Sequence, residues 1–408
     1  MRKRKQQVYN DNLIVSRSNK RSSTSGKETC YFDPIPVDLV INILSRLSLE
    51  CIARCRCVSK LWSSIIRRPN YNQLFPVKSS ATPRLLFVFK VARELFFNSS
   101  PQHFNPNNSS LVATSLQKTS STRFSQLCRP VHGLICSQHI EENYLFALIS
   151  NPTTGEYIAL PKQRMEEMNS ETIIEKVRYS FGYDPIDKQF KVLRITWLHR
   201  GSHEWSSEYQ VLTLGFGNIS WRNTQCCVVH YLLEDSGICI NGVLYYPARL
   251  DNRKYTIVCF DVMTEKFSFT SIDKDMTIMT NLSFSLIDYK GKLGACICDH
   301  TLFELWVLEN AEEHKWSKNI YNMPYSRSRL EETSYLKCAG MIASGEILLY
   351  PISSANTSTD ARYPFIYYYN LERNIITRVT LQVPILKQFT YARLFYTFSN
   401  FLENVTLI

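Results

Sequence analysis

The side chains that could do chemistry in this chain are few and poorly arranged for it. Cys296, Cys298 and His300 alternate along one segment and would share a face of a strand, a metal-like cluster of two thiols and an imidazole. Zinc sites, however, draw two pairs of ligands from separate turns, so a core strand with a polar end is the expected reading. Cys51, Cys55 and Cys57 have the wrong spacing for zinc and read as small buried residues. No G-x-S-x-G elbow, G-x-x-x-x-G-K-S/T phosphate loop or H-E-x-x-H pair occurs. The chain is therefore expected to be no enzyme, with no catalytic residues, no metal and no cofactor.

The thirteen cysteines are odd in number, dispersed and without a C-x-x-C pair, which fits free thiols in a reducing compartment. No run of about 18 apolar residues is present, so no membrane partner is expected. The formal charge of +11 is uneven. Residues 1–27 carry Arg2, Lys3, Arg4, Lys5, Arg17, Lys20, Arg21 and Lys27 against Asp11 alone. The two basic clusters, Arg2–Lys5 and Arg17–Arg21, have the spacing of a nuclear-import signal on a solvated arm, expected over residues 1–29; a merely solubilising tail is the plainer alternative. The rest of the chain is nearly neutral, so no nucleic-acid partner is expected, and nucleus or cytoplasm is the expected location.

The composition changes at Ile35. Pro36 suits the start of a helix and Asp38 opposes its dipole, giving a helix to about Leu47. Asp38, Asn42, Ser45 and Arg46 make a narrow polar stripe, and Val37, Leu39, Val40, Ile41, Ile43, Leu44 and Leu47 cover nearly everything else. Ser48 and Ser59 could cap two further short helices, one with Ile52, Ala53 and Val58, the other with Leu61, Trp62, Ile65 and Ile66, ended by Pro69. Three helices in about 40 residues lack the core to stand alone, so the surplus apolar surface implies another protein. The order of Ile35, Pro36, Leu39, Ile43, Leu44, Leu47, Ile52, Val58 and Trp62, interleaved with Arg46, Arg54, Arg56 and Lys60, resembles the F-box. That resemblance implies docking onto a Skp-type adaptor, and through it to a cullin and a RING subunit. Ile35, Pro36, Leu39, Ile43, Leu44 and Leu47 would pack on the adaptor, while Ile52, Val58 and Trp62 hold the helices together and complete the contact. Ser48 stands where the family usually has Pro, and Glu50-Cys51 where Lys-Ser is common, which would soften the contact.

After a polar joint, residues 72–83, short apolar runs rich in Tyr, Phe, Val and Ile alternate with turns, so residues 84–408 should be β-rich. A two-part unit recurs. Its first part is a Gly turn and a strand: VHGLICS at 131, INGVLYYP at 240, YKGKLGACI at 289 and ASGEILLYP at 343. Its second is a strand, a polar turn and a strand: FALISNPTTGEYIALP at 146, VCFDVMTEKFSFTSI at 258, LWVLENAEEHKWSKNI at 305 and IYYYNLERNIITRVTL at 366. A divergent copy begins FGYDPIDKQF at 181. Glycines 133, 182, 242, 291 and 345 mark copies about 50 residues apart, the period of kelch-like propeller blades. With a first hairpin over residues 84–97, about six blades are expected, and a strand around Leu394–Phe398 could pair with the first blade and close the ring. Trp197, Trp205, Trp221, Trp306 and Trp316 read as packing residues.

These segments, in this order, are similar to the F-box-associated domain of plant F-box proteins. The two resemblances together imply a mainly β protein with a small α unit: a three-helix F-box over residues 30–71 followed by a β-propeller-like domain of about six blades. They imply a substrate-recognition subunit of a Skp–cullin–F-box ubiquitin ligase. The unknown target would be gripped by loops on one rim, and nothing in the sequence names the target or those loops.

Overall fold

The computed structural model describes residues 35–44, 47, 55, 60–66, 82–91, 94–119, 123–165, 172–200, 204–215, 219–233, 237–250, 254–273, 275–276, 283–299, 301–324, 334–353, 364–384, 388 and 393–403. The two basic clusters, Ser48, Ile52, Val58, Pro69 and His300 lie outside the described residues.

Two helices are described near the N-terminus, α1 (Val37–Leu44) and α2 (Lys60–Ile66). Pro36 starts α1 as expected: its carbonyl accepts from the Leu39 and Val40 amides at 3.0 and 3.1 Å, and a proline there sacrifices no intrahelical donor. Val40 and Leu44, one turn apart, bury completely against Ile65 of α2. Val37, Ile41, Leu47, Cys55, Leu61 and Trp62 pack around them.

From Arg84 onward the chain forms six sheets, each of four or five strands. Blade 1 runs outward from Arg393–Phe401 through Arg84–Val91 and Glu94–Pro101 to Thr114–Thr119. Blade 2 starts at Arg123–Leu127, blade 3 at Thr172–Asp184, blade 5 at Ser285–Tyr289 and blade 6 at Ser334–Met341. In blade 4 the inner position is shared by His230–Leu232 and Ile238–Ile240, both paired to Val243–Leu250. Six blades were expected, and the closing strand is where the sequence put it: Leu394–Phe398 lies within the segment that pairs antiparallel with Arg84–Val91.

The core is divided among the seams. Leu85, Phe87 and Phe89 face blade 6, packing on Leu348, Ile366 and Tyr368. The alternate residues Leu86 and Val88 face blade 2, packing on Leu127 and Ile135. Strands buried on both faces need apolar residues at consecutive positions, which is why this segment reads RLLFVFKV without alternation. Four further clusters fill the seams between blades 2 and 3, 3 and 4, 4 and 5, and 5 and 6.

Tight turns join the inner strands to their neighbours. His132-Gly133, Asn241-Gly242 and Lys290-Gly291 each place two consecutive residues at positive φ, the backbone of a two-residue hairpin turn whose second position favours Gly. Gly182 does not belong with them. It lies inside the inner strand of blade 3, where a Cβ would stand 2.8 Å from Cγ2 of Val262 in blade 4. The turn of blade 3 falls later, with Asp184 Oδ1 accepting from the Ile186 and Asp187 amides and Lys188 at φ 54°. Gly182 therefore marks a close approach of two blades rather than a turn.

Ser110–Val112 leaves blade 1 and adds itself, parallel, to the outer strand Ile375–Gln382 of blade 6. The first and last blades are thus tied at both their inner and outer ends.

Two histidines are enclosed in this core. His230 is fully buried; its Nδ1 donates to the Val228 carbonyl at 3.0 Å and its Nε2 accepts from Tyr246 Oη at 2.9 Å. Burial pushes the pKa of His230, and that of the slightly less enclosed His139, down to about 4. Both side chains are neutral in the folded state, so they favour folding fully above pH 6.5. As pH falls from 6.5 toward 4 the unfolded chain takes up protons that the folded chain refuses, which costs about 3 kcal/mol per histidine by the end of that window. The melting temperature is therefore expected to fall steeply from pH 6.5 to 4.5; a profile flat across that range would contradict it.

Candidate docking and recognition sites

The inner face of α1 completes a core in which, among the described residues, Val40, Leu44 and Ile65 are fully enclosed. Its outer face is also apolar. Ile35, Leu39 and Ile43, four residues apart and hence on one side of the helix, are 46, 53 and 40% exposed. Pro36 is exposed beside them. Of the expected adaptor contacts, the structure thus brings Ile35, Pro36, Leu39 and Ile43 together on one open strip. Leu47 and Trp62 are half-buried against the helical core. Leu44 is placed elsewhere than expected: at 0% exposure it belongs to the unit's own interior. On a helix apolar nearly all round, composition does not say which side meets the neighbouring helix.

The expected core role of the tryptophans holds where the side chains are described. Trp197 is buried and donates to the His230 carbonyl at 2.9 Å, and Trp306 is buried in the seam of blades 4 and 5. Trp221 and Trp316 pack at the edges of their seams. Cys296 and Cys298 both lie buried in the seam of blades 5 and 6. Among the described residues no group of three or more His, Cys, Asp or Glu side chains could hold a metal, and no helix is long and apolar enough to cross a membrane.

The two rims of the ring differ. On one, the third and fourth strands of blades 2, 4, 5 and 6 are joined by short turns in which Asn151, Asp261, Asn310 and Asn370 accept backbone N–H bonds. On the other, the strands ending at Asn322, Ser353 and Gln382 are followed by the next strands only at Ser334, Phe365 and Arg393, most of the residues between lying outside those described. Blades 3 and 4 are clamped at the short-turn rim by Glu265, which takes Lys191 Nζ at 2.8 Å on one oxygen and the Arg222 guanidinium on both. Burial alone would raise the pKa of Glu265, but the hydrogen bonds from Arg222 and Lys191 outweigh it, and the carboxyl is held below its usual range.

An exposed apolar helix face ahead of a closed six-bladed ring defines a two-part protein, a short helical unit followed by a β-propeller. The F-box domain matches residues 32–74, and the F-box associated beta propeller domain matches residues 84–402. The chain belongs to the family of F-box proteins with an F-box-associated β-propeller. Relatives in Arabidopsis thaliana include At1g55070, 44% identical over the whole of both chains. F-box protein At5g65850 is 40% identical over 100% of this chain and 99% of its own, and F-box protein DOR is 41% identical over 86% and 89%. Among solved structures, TolB from Acinetobacter baumannii is similar with a TM-score of 0.42 at 10% identity, covering 79% of this chain and 70% of that one.

Proposed function

We propose that this chain is the substrate-recognition subunit of a Skp–cullin–F-box ubiquitin ligase. In this reading the helical unit, residues 30–71, docks on the Skp-type adaptor and thereby on the cullin and RING subunits. The propeller, beyond the joint at residues 72–83, grips a target protein for ubiquitination. The strip of Ile35, Leu39 and Ile43 supports the docking half, because the inner face of the helix packs on Ile65 while this second apolar face stays open among the described residues. Large exposed apolar side chains in a row mark a protein contact. Ile52, Val58 and Trp62 complete the contact in this proposal. The target is assigned to the rim with the longer connections, since recognition is usually carried by loops on a rigid scaffold. The basic clusters at Arg2–Lys5 and Arg17–Arg21 serve nuclear import.

Leu39→Asp tests the docking half without disturbing the helical core. An interface leucine replaced by a carboxylate should weaken adaptor binding by about 2–4 kcal/mol, at least thirtyfold. Titration of purified adaptor against wild type and variant measures this directly, and unchanged affinity would remove the main support for the reading.

A further inference from the structure

The six blades are unequal at one place. Blade 3 is built from strands of 13, 12 and 11 residues, Thr172–Asp184, Gln189–Arg200 and Glu204–Leu214. The second strands of the other blades have seven or eight residues. The turn end of blade 3 is level with its neighbours. Ring centroids of Tyr183 and of His132 in blade 2 stand 4.2 Å apart, and a Cβ at Gly242 of blade 4 would meet Cδ of Pro185 at 2.8 Å. The extra residues therefore emerge at the opposite rim, the one with the longer connections, where they raise the blade by up to roughly 15 Å.

The fourth strand does not follow them. Arg222–Thr224 has three residues and pairs only with Tyr209–Val211. On its other side the third strand is paired throughout, from Glu204 with Arg200 to Leu214 with Phe190. The stretch Glu204–Glu208 is thus laddered on one edge only among the described residues. The other blades cover their third strands. The fourth strand runs beside Leu95–Ser99 in blade 1, Thr256–Phe260 in blade 4, Leu302–Asn310 in blade 5 and Phe365–Asn370 in blade 6. In blade 2 two short strands share the task. Proteins usually blunt an open edge with proline, lysine or a bulge. This one reads EWSSE, with neither proline nor lysine, and its register with the second strand is unbroken. Ser206, Ser207 and Glu208 are half-buried, so solvent still reaches the strand.

An open edge offers backbone N–H and C=O groups at alternate residues, and an extended polypeptide is the partner that matches that repeat. A second copy of this chain fits poorly. Two copies paired antiparallel about Ser206 would set Glu204 of each opposite Glu208 of the other, and like charges directly opposite are unfavourable. We propose that Glu204–Glu208 is a β-augmentation site, where an extended, proline-free segment of the recruited protein adds to blade 3 as an antiparallel strand beyond Arg222–Thr224. This rests on the reading of the ring as the part that grips a target, and not on the adaptor contact.

Panning the full chain against displayed random dodecapeptides supplies the probe. Recovered peptides, resynthesised, should protect amides within residues 204–208 from hydrogen exchange. Methylating alternate backbone nitrogens of such a peptide removes ladder donors and spares its side chains, and should weaken binding by about tenfold or more. In the protein, every second N–H of the edge points outward. One of Ser206→Pro and Ser207→Pro should therefore keep about the wild-type melting temperature and lose binding by a similar factor. Binders that protect other parts of the ring, or that tolerate N-methylation at either alternate set, overturn the edge site while leaving the recognition reading in place. Recovery of no binder overturns it too, and protection of residues 204–208 by self-association alone gives the edge to a second copy instead. The docking half of the functional reading is judged separately, by the adaptor titration of Leu39→Asp.

Discussion

Leu44→Asp is expected to abolish co-purification with a Skp-type adaptor while the propeller melts at its usual temperature. The reason differs from that for Leu39→Asp. Leu44 is fully enclosed between the two helices with Val40 and Ile65, so the substitution forces a carboxylate into an apolar interior and removes a fully buried side chain. Either consequence costs several kcal/mol, and a helical unit this small has little stability to lose. The propeller has its own cores and should be indifferent. Limited proteolysis separates the two variants: cleavage within residues 35–66 should accelerate in Leu44→Asp and stay near wild type in Leu39→Asp. Intact adaptor capture by Leu44→Asp would show that the helical pair does not need its core in order to dock.

Removing residues 393–408 should leave no monomeric propeller at all. The deletion takes away the inner strand of blade 1, with Phe398 and Phe401 that fill the seam toward blade 2. Two buried phenylalanines alone are worth roughly 5 kcal/mol, comparable with the whole stability of a typical domain. It also bares the hydrogen-bonding edge of Arg84–Val91, an apolar strand that would pair with other molecules. Size-exclusion chromatography should find the truncated chain in aggregates. A sharp monomer peak with a cooperative melt would mean that the remaining strands satisfy that edge themselves.

Much of this was legible before the structure. The number of blades and the closing strand followed from apolar runs set between Gly turns, because a strand buried on both faces has no alternative pattern. What misled was Gly182, whose neighbours in F-G-Y-D look like a turn but sit in a long inner strand; only the side chain of Val262 from another blade explains it. The division of α1 into an inner and an outer apolar face was invisible for a related reason: Leu39 and Leu44 are the same residue type, and the position of Ile65 alone distinguishes them. The tie made by Ser110–Val112 was missed because three residues after an Asn- and Ser-rich stretch carry no strand signal. The open edge at Glu204–Glu208 was missed because the residues of a strand do not show how far its neighbour runs beside it.

The pairing of Arg393–Phe401 with Arg84–Val91 also sets a schedule for biogenesis. A ribosome adding roughly 5–20 residues per second needs tens of seconds to travel from one strand to the other. Throughout that interval the nascent ring is open, while the helical pair at residues 37–66 has already left the exit tunnel. Under the proposed function, the helical unit assigned to adaptor docking is thus available before the propeller assigned to the target, and the strand Arg393–Phe401 latches the ring of blades shut.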